Sequence, residues 1–429
     1  MECDNITFSV SAPGKIILMG EHSVLYSKKG IAAALSKRTY FHFKEHKQAH
    51  EQITFNLKNI NGVNEWDFKS VYDLITSHKP LVVDNLKEFN LFTPELLNHD
   101  ELVDILRQFV IKKNVESGPK QRSMICLFYV IVGMLWCTDV NITPFDIEIS
   151  TDLTIGAGTG SSASFAVCCA AAMYHYIRLK AIQKHGLGEF NISYEMFKPF
   201  NVTLSQHYCG FTSQDKEIIN KWAYCVEKIM HGNPSGLDNT VCTYGNTVLI
   251  NMSDGSEEFR KFQIMDAMPP LRVLLINSGI ERCSSDMIAK VANVYKLCPE
   301  AIDGVLQAMD TVALQFIKLL KEMEEQEERG EVASVYTKLE ILIDIQHCLL
   351  KSLGVSHKRL EEIVECCARN GLHAKLTGAG GGGYAFALIS PSIPEDVVDK
   401  TITALYNAGF ITDDIVANSE GVVLDIKSV

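Results

Sequence analysis

Segments that would carry the chain into a membrane or along a secretory route are missing from the sequence. The N-terminal residues MECDNITFSV are acidic where a signal peptide needs a basic segment followed by an apolar run. The longest apolar run, Met124–Cys137, has 14 residues, whereas a bilayer-spanning helix needs about 20. We therefore expect no membrane partner and interpret this run as a buried helix.

The cysteine and histidine patterns of common zinc sites are also absent. The 13 cysteines include no CxxC pair, and none of the 13 histidines belongs to an HExxH motif. The number of thiols is odd, and adjacent pairs at 168–169 and 366–367 lie in apolar or helical-looking stretches. This pattern is more typical of a reducing compartment than of a disulfide framework, and it predicts a cytoplasmic protein.

The chain has no excess of basic residues. Its 40 Lys and Arg against 52 Asp and Glu give a formal net charge of −12. Nucleic acids attract basic proteins, so we expect no nucleic-acid partner. A small anionic ligand is not excluded, because local positive groups can bind it.

Length and the order of predicted elements favour an α+β protein with two domains. A single core rarely grows beyond roughly 250–300 residues, and this chain has 429. Apolar periodicity predicts strands at 6–11, 31–43, 52–57, 145–150, 272–276 and 384–389, with a turn at Gly14-Lys15. It predicts helices at 95–113, 122–138, 162–180, 215–230, 284–296, 301–328, 331–352 and 356–370. Residues 181–215 are weakly periodic, which predicts a surface insertion.

The strongest motif is a glycine-rich segment, GAGTGSSA at 156–163, between a predicted strand and a predicted helix. Glycines let a backbone approach a phosphate closely and direct its N–H groups toward it. The N-terminus of the following helix adds partial positive charge, and the hydroxyls of Ser161 and Ser162 can bind phosphate or a metal ion. Three glycines and two serines exceed what a helix cap needs, so the segment predicts a phosphate-binding loop.

The segment is not a Walker A motif, because the only Gly-Lys, at 14–15, is followed by Ile16 rather than Ser or Thr. That pair belongs to the segment SAPGKIILMGEHS (11–23). This segment could bring a cation, an acid and an imidazole into one site, or it could form a hairpin with a solvated Lys15.

The run LTGAGGGGY (376–384) contains the GxGxxG pattern. A strand follows it, however, whereas a dinucleotide-binding loop is followed by a helix. The high density of glycines in this run predicts a backbone that packs against another loop or a ligand. The alternative is a flexible hairpin tip.

Two carboxylates flank the turn His231–Gly236. Glu227 lies on a predicted helix and Asp238 lies beyond the turn, so the chain can direct both toward the phosphate-binding loop. Phosphoryl transfer from ATP needs Mg²⁺, which takes oxygen ligands, and a group that positions or deprotonates the attacking hydroxyl. Ser162 and Glu227 could bind the metal ion, and Asp238 could then contact the hydroxyl of the substrate. The alternatives are a Glu227 that pairs with Lys228 or with solvent, and an Asp238 that caps a helix beginning at Asn239.

Together these segments resemble the mevalonate kinase family, within the superfamily of galactokinase, homoserine kinase and phosphomevalonate kinase. The matching segments are SAPGKIILMGEHSVLY (11–26), GAGTGSSAS (156–164), INKWAYCVEKIMHGNPSGLDN (219–239) and LHAKLTGAGGGG (372–383). They occur in the order of the family and span nearly the whole chain. The stretches GEHSV and HGNPSGLDN single out the mevalonate kinases.

The resemblance implies a two-domain α+β small-molecule kinase with its active site in the interdomain cleft. An ATP-binding domain would cover 1–263 and a mostly helical domain 264–429, and whether the last strand, near 420–426, returns to the first domain is left open. The implied reaction is ATP-dependent phosphorylation of mevalonate at its primary hydroxyl, giving 5-phosphomevalonate and ADP in isoprenoid precursor biosynthesis. A homodimer is compatible with the resemblance.

The resemblance also implies roles for single residues. Lys15 would acidify the primary hydroxyl of the substrate, and Asp238 would act as its base. Magnesium would bind Ser162 and Glu227, while His22 and Ser284 would contact the substrate. The ATP-binding residues would be Lys15, Asn59, Thr151, Gly156, Ala157, Gly158, Thr159, Gly160, Ser161 and Ser162.

The chain departs from the family pattern around the phosphate-binding loop. It has Thr154-Ile155 and Thr159 where the family usually has Pro-Pro and Leu, which affects the rigidity of the loop and hence nucleotide affinity. Residues 70–120 and 181–215 also match poorly.

Two alternatives to a mevalonate kinase are considered. A related kinase could act on a sugar or phosphomevalonate, but Ser23-Val24 stands where galactokinases have Thr-Asp, which disfavours a sugar. A non-catalytic protein could keep the kinase fold, but it would be expected to lose Lys15, Glu227 or Asp238, and all three are present.

Overall fold

The computed structural model describes residues 5–46, 50–60, 62–78, 80–82, 89–186, 188–192, 200–204, 210–251, 261–265, 268–281, 283–328 and 332–425. The strands are β1 Thr7–Met19, β2 Gly30–Glu45, β3 Gln52–Leu57, β4 Gly62–Asp67, β5 Phe145–Thr151, β6 Gly188–Ile192, β7 Phe200–Leu204, β8 Thr247–Asn251, β9 Lys261–Met265, β10 Leu271–Asn277, β11 His373–Leu376, β12 Tyr384–Leu388, β13 Ile411–Ala417 and β14 Val423–Asp425. The helices are α1 Phe68–Ser77, α2 His99–Ile111, α3 Pro119–Leu135, α4 Ser161–His185, α5 Ser213–His231, α6 Leu237–Tyr244, α7 Ser284–Leu297, α8 Pro299–Glu328, α9 Val332–Ser352, α10 Lys358–Arg369 and α11 Glu395–Asn407. Within these ranges, no helix has the length and apolar character needed to cross a membrane.

Twelve of the described strands form one mixed sheet, and β6 and β7 form a separate hairpin. The main order is β11-β12-β10-β13-β2-β5-β3-β4, with β1 and β8 also paired with β2, β14 with β1 and β9 with β8. The long strand β2 pairs with β5 through Thr39–Glu45 and with β13 at Leu35. It therefore joins the N-terminal strands to the C-terminal strands β10–β13. The last strand, β14, pairs with β1 near the opposite end of the chain.

The predicted turn at Gly14-Lys15 is wrong, because both residues lie within β1. The pairing of β1 with β2 shifts register between Pro13 and Lys15, which is a β-bulge rather than a reversal of the chain. A Cβ atom on Gly14 would lie 2.7 Å from the carbonyl oxygen of Thr159. Glycine is thus required here because the strand touches the backbone of the glycine-rich loop.

The apolar run is confirmed as a buried helix, since every residue of α3 from Met124 to Leu135 is buried. Helix α4 packs beside it and is rich in alanine, so its backbone can approach the sheet closely. The hydroxyl of Ser164 donates a 2.7 Å hydrogen bond to the Ala12 carbonyl of β1. These contacts fix the N-terminus of α4 against the strand that contains Lys15.

The predicted insertion at 181–215 needs correction at both ends. Residues 181–185 extend α4, and Ala181 is fully buried against the core. Asp215 is buried in the first turn of α5, where it forms a capping box with Thr212. Between these ends β6 and β7 pair antiparallel, and residues 187, 193–199 and 205–209 lie outside the described residues.

Beyond residue 280 the predicted helices correspond to α7–α10, which pack with α11 on strands β10–β12. The long helices α8 and α9 contact each other and form a second apolar cluster with β10, β12 and the adjoining ends of β1 and β2. The sequence prediction missed helices α1 and α11 and strands β4, β6, β7, β8, β9 and β13, and it gave α6 only as an alternative that begins at Asn239. The missed strands have only five to seven residues, too few to establish a period from sequence. Helices α1 and α11 are amphipathic, so their pattern was available in the sequence and was overlooked.

Candidate active site

The glycine-rich loop connects β5 to α4 and has the geometry of an anion cradle. Gly156, Gly158 and Gly160 have φ angles of 77°, 89° and 76°, which residues with a Cβ atom rarely adopt. Gly160 is the N-cap residue, and α4 begins at Ser161. The first backbone N–H groups of a helix have no partner within the helix, and its dipole places partial positive charge there. The loop and the start of α4 can therefore bind phosphate groups.

The loop is held against β1 by a direct backbone contact. The amide of Lys15 donates a 2.8 Å hydrogen bond to the carbonyl of Thr159. The Thr159 side chain is buried, and Ala157 packs against the second apolar cluster, so neither side chain is among the described residues that line the cleft. Their side chains thus belong to the wall of the loop, and contacts between their backbone N–H groups and ATP stay a prediction.

Lys15 and Asp238 form an ion pair beside this loop. Their Nζ and Oδ2 atoms are 3.1 Å apart, and the Lys15 side chain is only 5% exposed, against 33% for Asp238. Gly236, with a φ of 79°, is the N-cap residue of α6, so Asp238 lies in the first turn of this helix rather than capping a helix that begins at Asn239. The ammonium group thus approaches Asp238 from the protein interior, and Asp238 itself faces the cleft.

Glu227 is buried nearby without enough positive charge to neutralise it. Burial and the charge of Asp238 raise the pKa of Glu227 to about 8, although Ser162 and Lys15 act in the opposite direction. Its Oε1 atom has no hydrogen-bond partner among the described residues. A buried carboxylate oxygen in this state is strongly unfavourable unless a cation or a donor reaches it.

These atoms fit a divalent cation that prefers oxygen ligands. The hydroxyl of Ser162 hydrogen-bonds with Glu227, and both side chains line the same cleft as the glycine loop. Magnesium is typically bound through one or two protein oxygens together with substrate phosphates. The unsatisfied carboxylate oxygen beside the anion cradle meets that description.

His231 was not recognised from the sequence as a site residue. Its Nε2 atom lies 3.0 Å from Ser162 Oγ and 4.0 Å from Glu227 Oε2. Burial lowers the pKa of His231, which favours the neutral imidazole. Its position one helical turn after Glu227 was the available signal, because residues four apart share a helix face.

The cleft has a volume of about 740 Å³, and most of the site residues predicted from the sequence line it. Asn59 and Thr151 lie on its wall, where the Asn59 side chain donates to the Thr151 carbonyl at 2.9 Å and accepts from its amide at 2.8 Å. Ser284 lies on the cleft at the start of α7. The cleft also contains Arg122, a positive group that the sequence analysis had not assigned to the site.

His22 is directed toward the C-terminal glycine run. Its Nε2 atom donates a 2.8 Å hydrogen bond to the Ala379 carbonyl, and it is not among the described residues that line the cleft. The neighbouring Glu21 is fully buried and forms an ion pair with Lys375. The segment containing GEH is therefore joined to the second half of the chain.

The run at 378–383 is packed against other backbone segments, which confirms one of the two sequence interpretations. A Cβ atom on Gly380 would lie 2.1 Å from the Val355 carbonyl oxygen, and one on Gly382 would lie 2.7 Å from that of Ile280. The amide of Gly381 donates to Val355 at 2.7 Å. The run is thus a closely packed β11–β12 connection, not a flexible tip.

The folded chain thus combines an anion cradle, a lysine–aspartate pair and a candidate cation site in one cleft, as expected of a small-molecule kinase. Residues 129–191 match the GHMP kinases N terminal domain, and residues 318–407 match the GHMP kinases C terminal family. The chain is an ATP-binding kinase of the GHMP class.

Full-length comparisons narrow this class. The chain is 31% identical to the mevalonate kinase of Bos taurus over 409 residues, which cover 94% of this chain and 90% of that protein. It is 31% identical to the mevalonate kinase of Dictyostelium discoideum over 432 residues, covering 99% and 97%. The chain belongs to the mevalonate kinase family.

Solved structures agree at the level of the fold. The Methanococcus jannaschii mevalonate kinase superposes with a TM-score of 0.63 at 20% identity, covering 98% of this chain and 100% of that one. Lactococcus lactis galactokinase, solved with galactose, gives a TM-score of 0.55 at 14% identity, covering 97% and 94%.

Proposed function

We propose that the protein transfers the γ-phosphoryl group of ATP to the primary hydroxyl of mevalonate, giving 5-phosphomevalonate and ADP. The observation that carries this proposal is the Lys15–Asp238 pair, 3.1 Å apart, beside the cradle formed by the glycine loop and the start of α4. Full-length similarity to mevalonate kinases supports mevalonate as the acceptor.

In this proposal Asp238 accepts the proton of the attacking hydroxyl. Lys15, held at the buried side of Asp238, stabilises the negative charge that develops on the substrate oxygen. The N–H groups of the glycine loop and of the first turn of α4 bind the phosphate oxygens. Catalysis then rests on positioning and electrostatic stabilisation, as is general for phosphoryl transfer.

The proposal assigns Mg²⁺ to Ser162 and Glu227. When bound by these two residues, the ion would supply positive charge to the phosphate groups of ATP. Glu227 contributes the unpartnered Oε1 atom, and His231 orients the Ser162 hydroxyl through a 3.0 Å hydrogen bond.

Further parts of the proposal concern the substrates and the setting. We assign the nucleotide side of the cleft to Asn59 and Thr151, and substrate contacts to Ser284 and His22. For His22 to contact the substrate, its imidazole must leave the Ala379 carbonyl.

The 11 cysteines that the structure describes are unpaired, which supports the predicted cytoplasmic location. A homodimer and the domain boundary at 263–264 stay predictions.

The test is a coupled assay of ADP release by the purified protein with ATP and Mg²⁺. We expect turnover with mevalonate and none with phosphomevalonate or galactose. Asp238→Asn should reduce kcat at least about 10²-fold, because the proton acceptor is lost, and should leave ATP binding nearly intact. Asp303→Asn, on the exposed surface of α8, is the matched control and should not change kcat. Absence of mevalonate-dependent ADP release would overturn the proposed reaction, and full activity of Asp238→Asn would overturn the assignment of the base.

A further inference from the structure

A second cluster of metal-ligating side chains lies at the opposite end of β5 from the cleft. It consists of His46, His50 and Asp146, each of which offers one ligand atom within 4.8 Å of the others. Asp146 is the second residue of β5, whereas Thr151 at the end of the same strand lies on the cleft. Five residues of extended chain separate the two sites by about 17 Å. The cluster is therefore distinct from the candidate magnesium site.

The sheet topology explains why these three residues meet. Strand β2 runs antiparallel to β5, so its last residues lie beside the first residues of β5, with Lys44 opposite Asp146. Strand β3 runs parallel to β5, so both begin at the same end, with Thr54 opposite Asp146. His46 directly follows β2 and His50 shortly precedes β3. The end of one strand and the starts of two others thus bring three ligands to one edge.

The backbone fixes two of the three ligands. The amide of His46 donates a 2.8 Å hydrogen bond to the Pro144 carbonyl, which ties the end of β2 to the residues before β5. The His46 Nε2 atom lies 2.6 Å from Asp146 Oδ2, and the rings of His46 and His50 lie 4.3 Å apart between centroids. The two imidazoles and the carboxylate therefore converge before any ion is added.

One atom of the cluster lacks a partner. The Oδ1 atom of Asp146 is buried and accepts no hydrogen bond from the described part of the chain. A buried carboxylate oxygen without a donor is unfavourable, and a bound cation removes that penalty.

We propose that His46, His50 and Asp146 form a zinc-binding site that joins the β2–β3 connection to the start of β5. Two imidazoles and one carboxylate are typical Zn²⁺ ligands, and water can occupy the fourth tetrahedral position. Nitrogen ligands disfavour Mg²⁺, so the ion required for phosphoryl transfer should not compete for this site. Zn²⁺ that binds the folded chain and not the unfolded chain stabilises the folded state.

The experiment uses the full chain, stripped of metal and free of nucleotide, titrated with Zn²⁺ at pH 7.5. Binding is followed by calorimetry, and Co²⁺ is used as a spectroscopic probe of tetrahedral coordination. We expect one ion per chain, a rise in Tm with Zn²⁺ and an intense visible Co²⁺ spectrum. His50→Ala and Asp146→Asn should each weaken binding about tenfold or more, because each removes one of three protein ligands.

The matched control is His373→Ala, which removes a partly exposed histidine that pairs with Asp344 at 2.7 Å but belongs to no three-ligand group among the described residues. It should bind Zn²⁺ as the wild type does. The proposal is overturned if the wild type binds Zn²⁺ no more tightly than His50→Ala, or if the Co²⁺ spectrum indicates six oxygen ligands. Kinase activity with Mg²⁺ should be the same in His50→Ala and wild type, which separates this outcome from failure of the proposed reaction.

Discussion

At the scale of single residues, Glu227 shows how burial creates a requirement for a cation. Its side chain is 4% exposed, and its nearest positive groups, Lys15 and His231, are engaged elsewhere or neutral. Burial therefore raises its pKa to about 8. Sequence spacing had identified the residue, but only the folded environment reveals that its charge is not compensated by the chain itself.

The first prediction concerns this residue and pH. An unfolded Glu titrates near 4.3, so the unfolded state releases its proton first, and Glu227 destabilises the metal-free protein progressively as pH rises from about 4.5 to 8. Glu227→Gln should remove that loss, so the variant should have the higher Tm at pH 8.5 without metal. Adding Mg²⁺ and ATP should reverse the order, and kcat should fall about 10²-fold.

The control for this prediction is Glu217→Gln on the exposed side of the same helix, where the carboxylate pairs with Lys221. It should follow the wild type in both thermal scans and turnover. An identical pH dependence of Tm in Glu227→Gln and wild type would contradict the account of the buried charge.

At the scale of elements, the site depends on how closely β1 approaches the connection between β5 and α4. A Cβ atom on Gly160 would lie 2.9 Å from Lys15 Cγ, whereas one on Gly156 would have no atom within 4 Å. Both glycines have positive φ angles, of 76° and 77°. Comparing substitutions at the two glycines therefore separates the effect of backbone strain, which both share, from the effect of displacing Lys15.

The second prediction follows from this difference. Gly156→Ala and Gly160→Ala should each lower the free energy of unfolding by about 1–2 kcal/mol, because left-handed backbone is strained in residues with a Cβ atom. Gly160→Ala should also lower kcat at least about tenfold, since Lys15 must move away from Asp238. Chemical denaturation and steady-state kinetics measure the two effects. Equal kcat values in both variants would show that the contact with Lys15 has no role.

At the scale of the whole molecule, the two halves of the chain are joined by the shared sheet and by one buried ion pair. Glu21 and Lys375 are both 0% exposed, and Lys375 also donates to the Leu376 carbonyl at 2.8 Å. Burial raises the pKa of Glu21 and lowers that of Lys375, so each charge depends on its partner. Gln346 adds a hydrogen bond to Glu21 from α9 at 3.3 Å.

The third prediction is that Lys375→Met lowers the free energy of unfolding by about 3–5 kcal/mol, because an uncompensated carboxylate is left in the core. The double variant Glu21→Gln with Lys375→Met should recover part of this loss. Lys400→Met, which breaks an exposed pair with Asp396, should change stability by less than about 1 kcal/mol. Urea denaturation measures all three; a loss for Lys375→Met as small as that for Lys400→Met would refute the role of the buried pair.

Much of the site was predictable because its residues belong to motifs that can be recognised within a short stretch of sequence. The glycine loop before α4, the carboxylates around the turn after α5 and the long apolar helix α3 each show their character within a short window of sequence. Short strands such as β4 and β8 do not show their character in this way. Gly14-Lys15 was misread as a turn because a bulged strand and a turn use the same residue types.

The sequence alone determined the kinase family of this protein and ten of the residues that line the cleft, since these depend on motifs whose chemistry is carried by the residue types themselves. Only the tertiary structure decided that Lys15 reaches Asp238, that His231 faces Ser162, and that His46, His50 and Asp146 converge. These contacts join residues far apart in the chain or across turns. Strand register and the packing of helices on the sheet set such distances, and no local pattern encodes them.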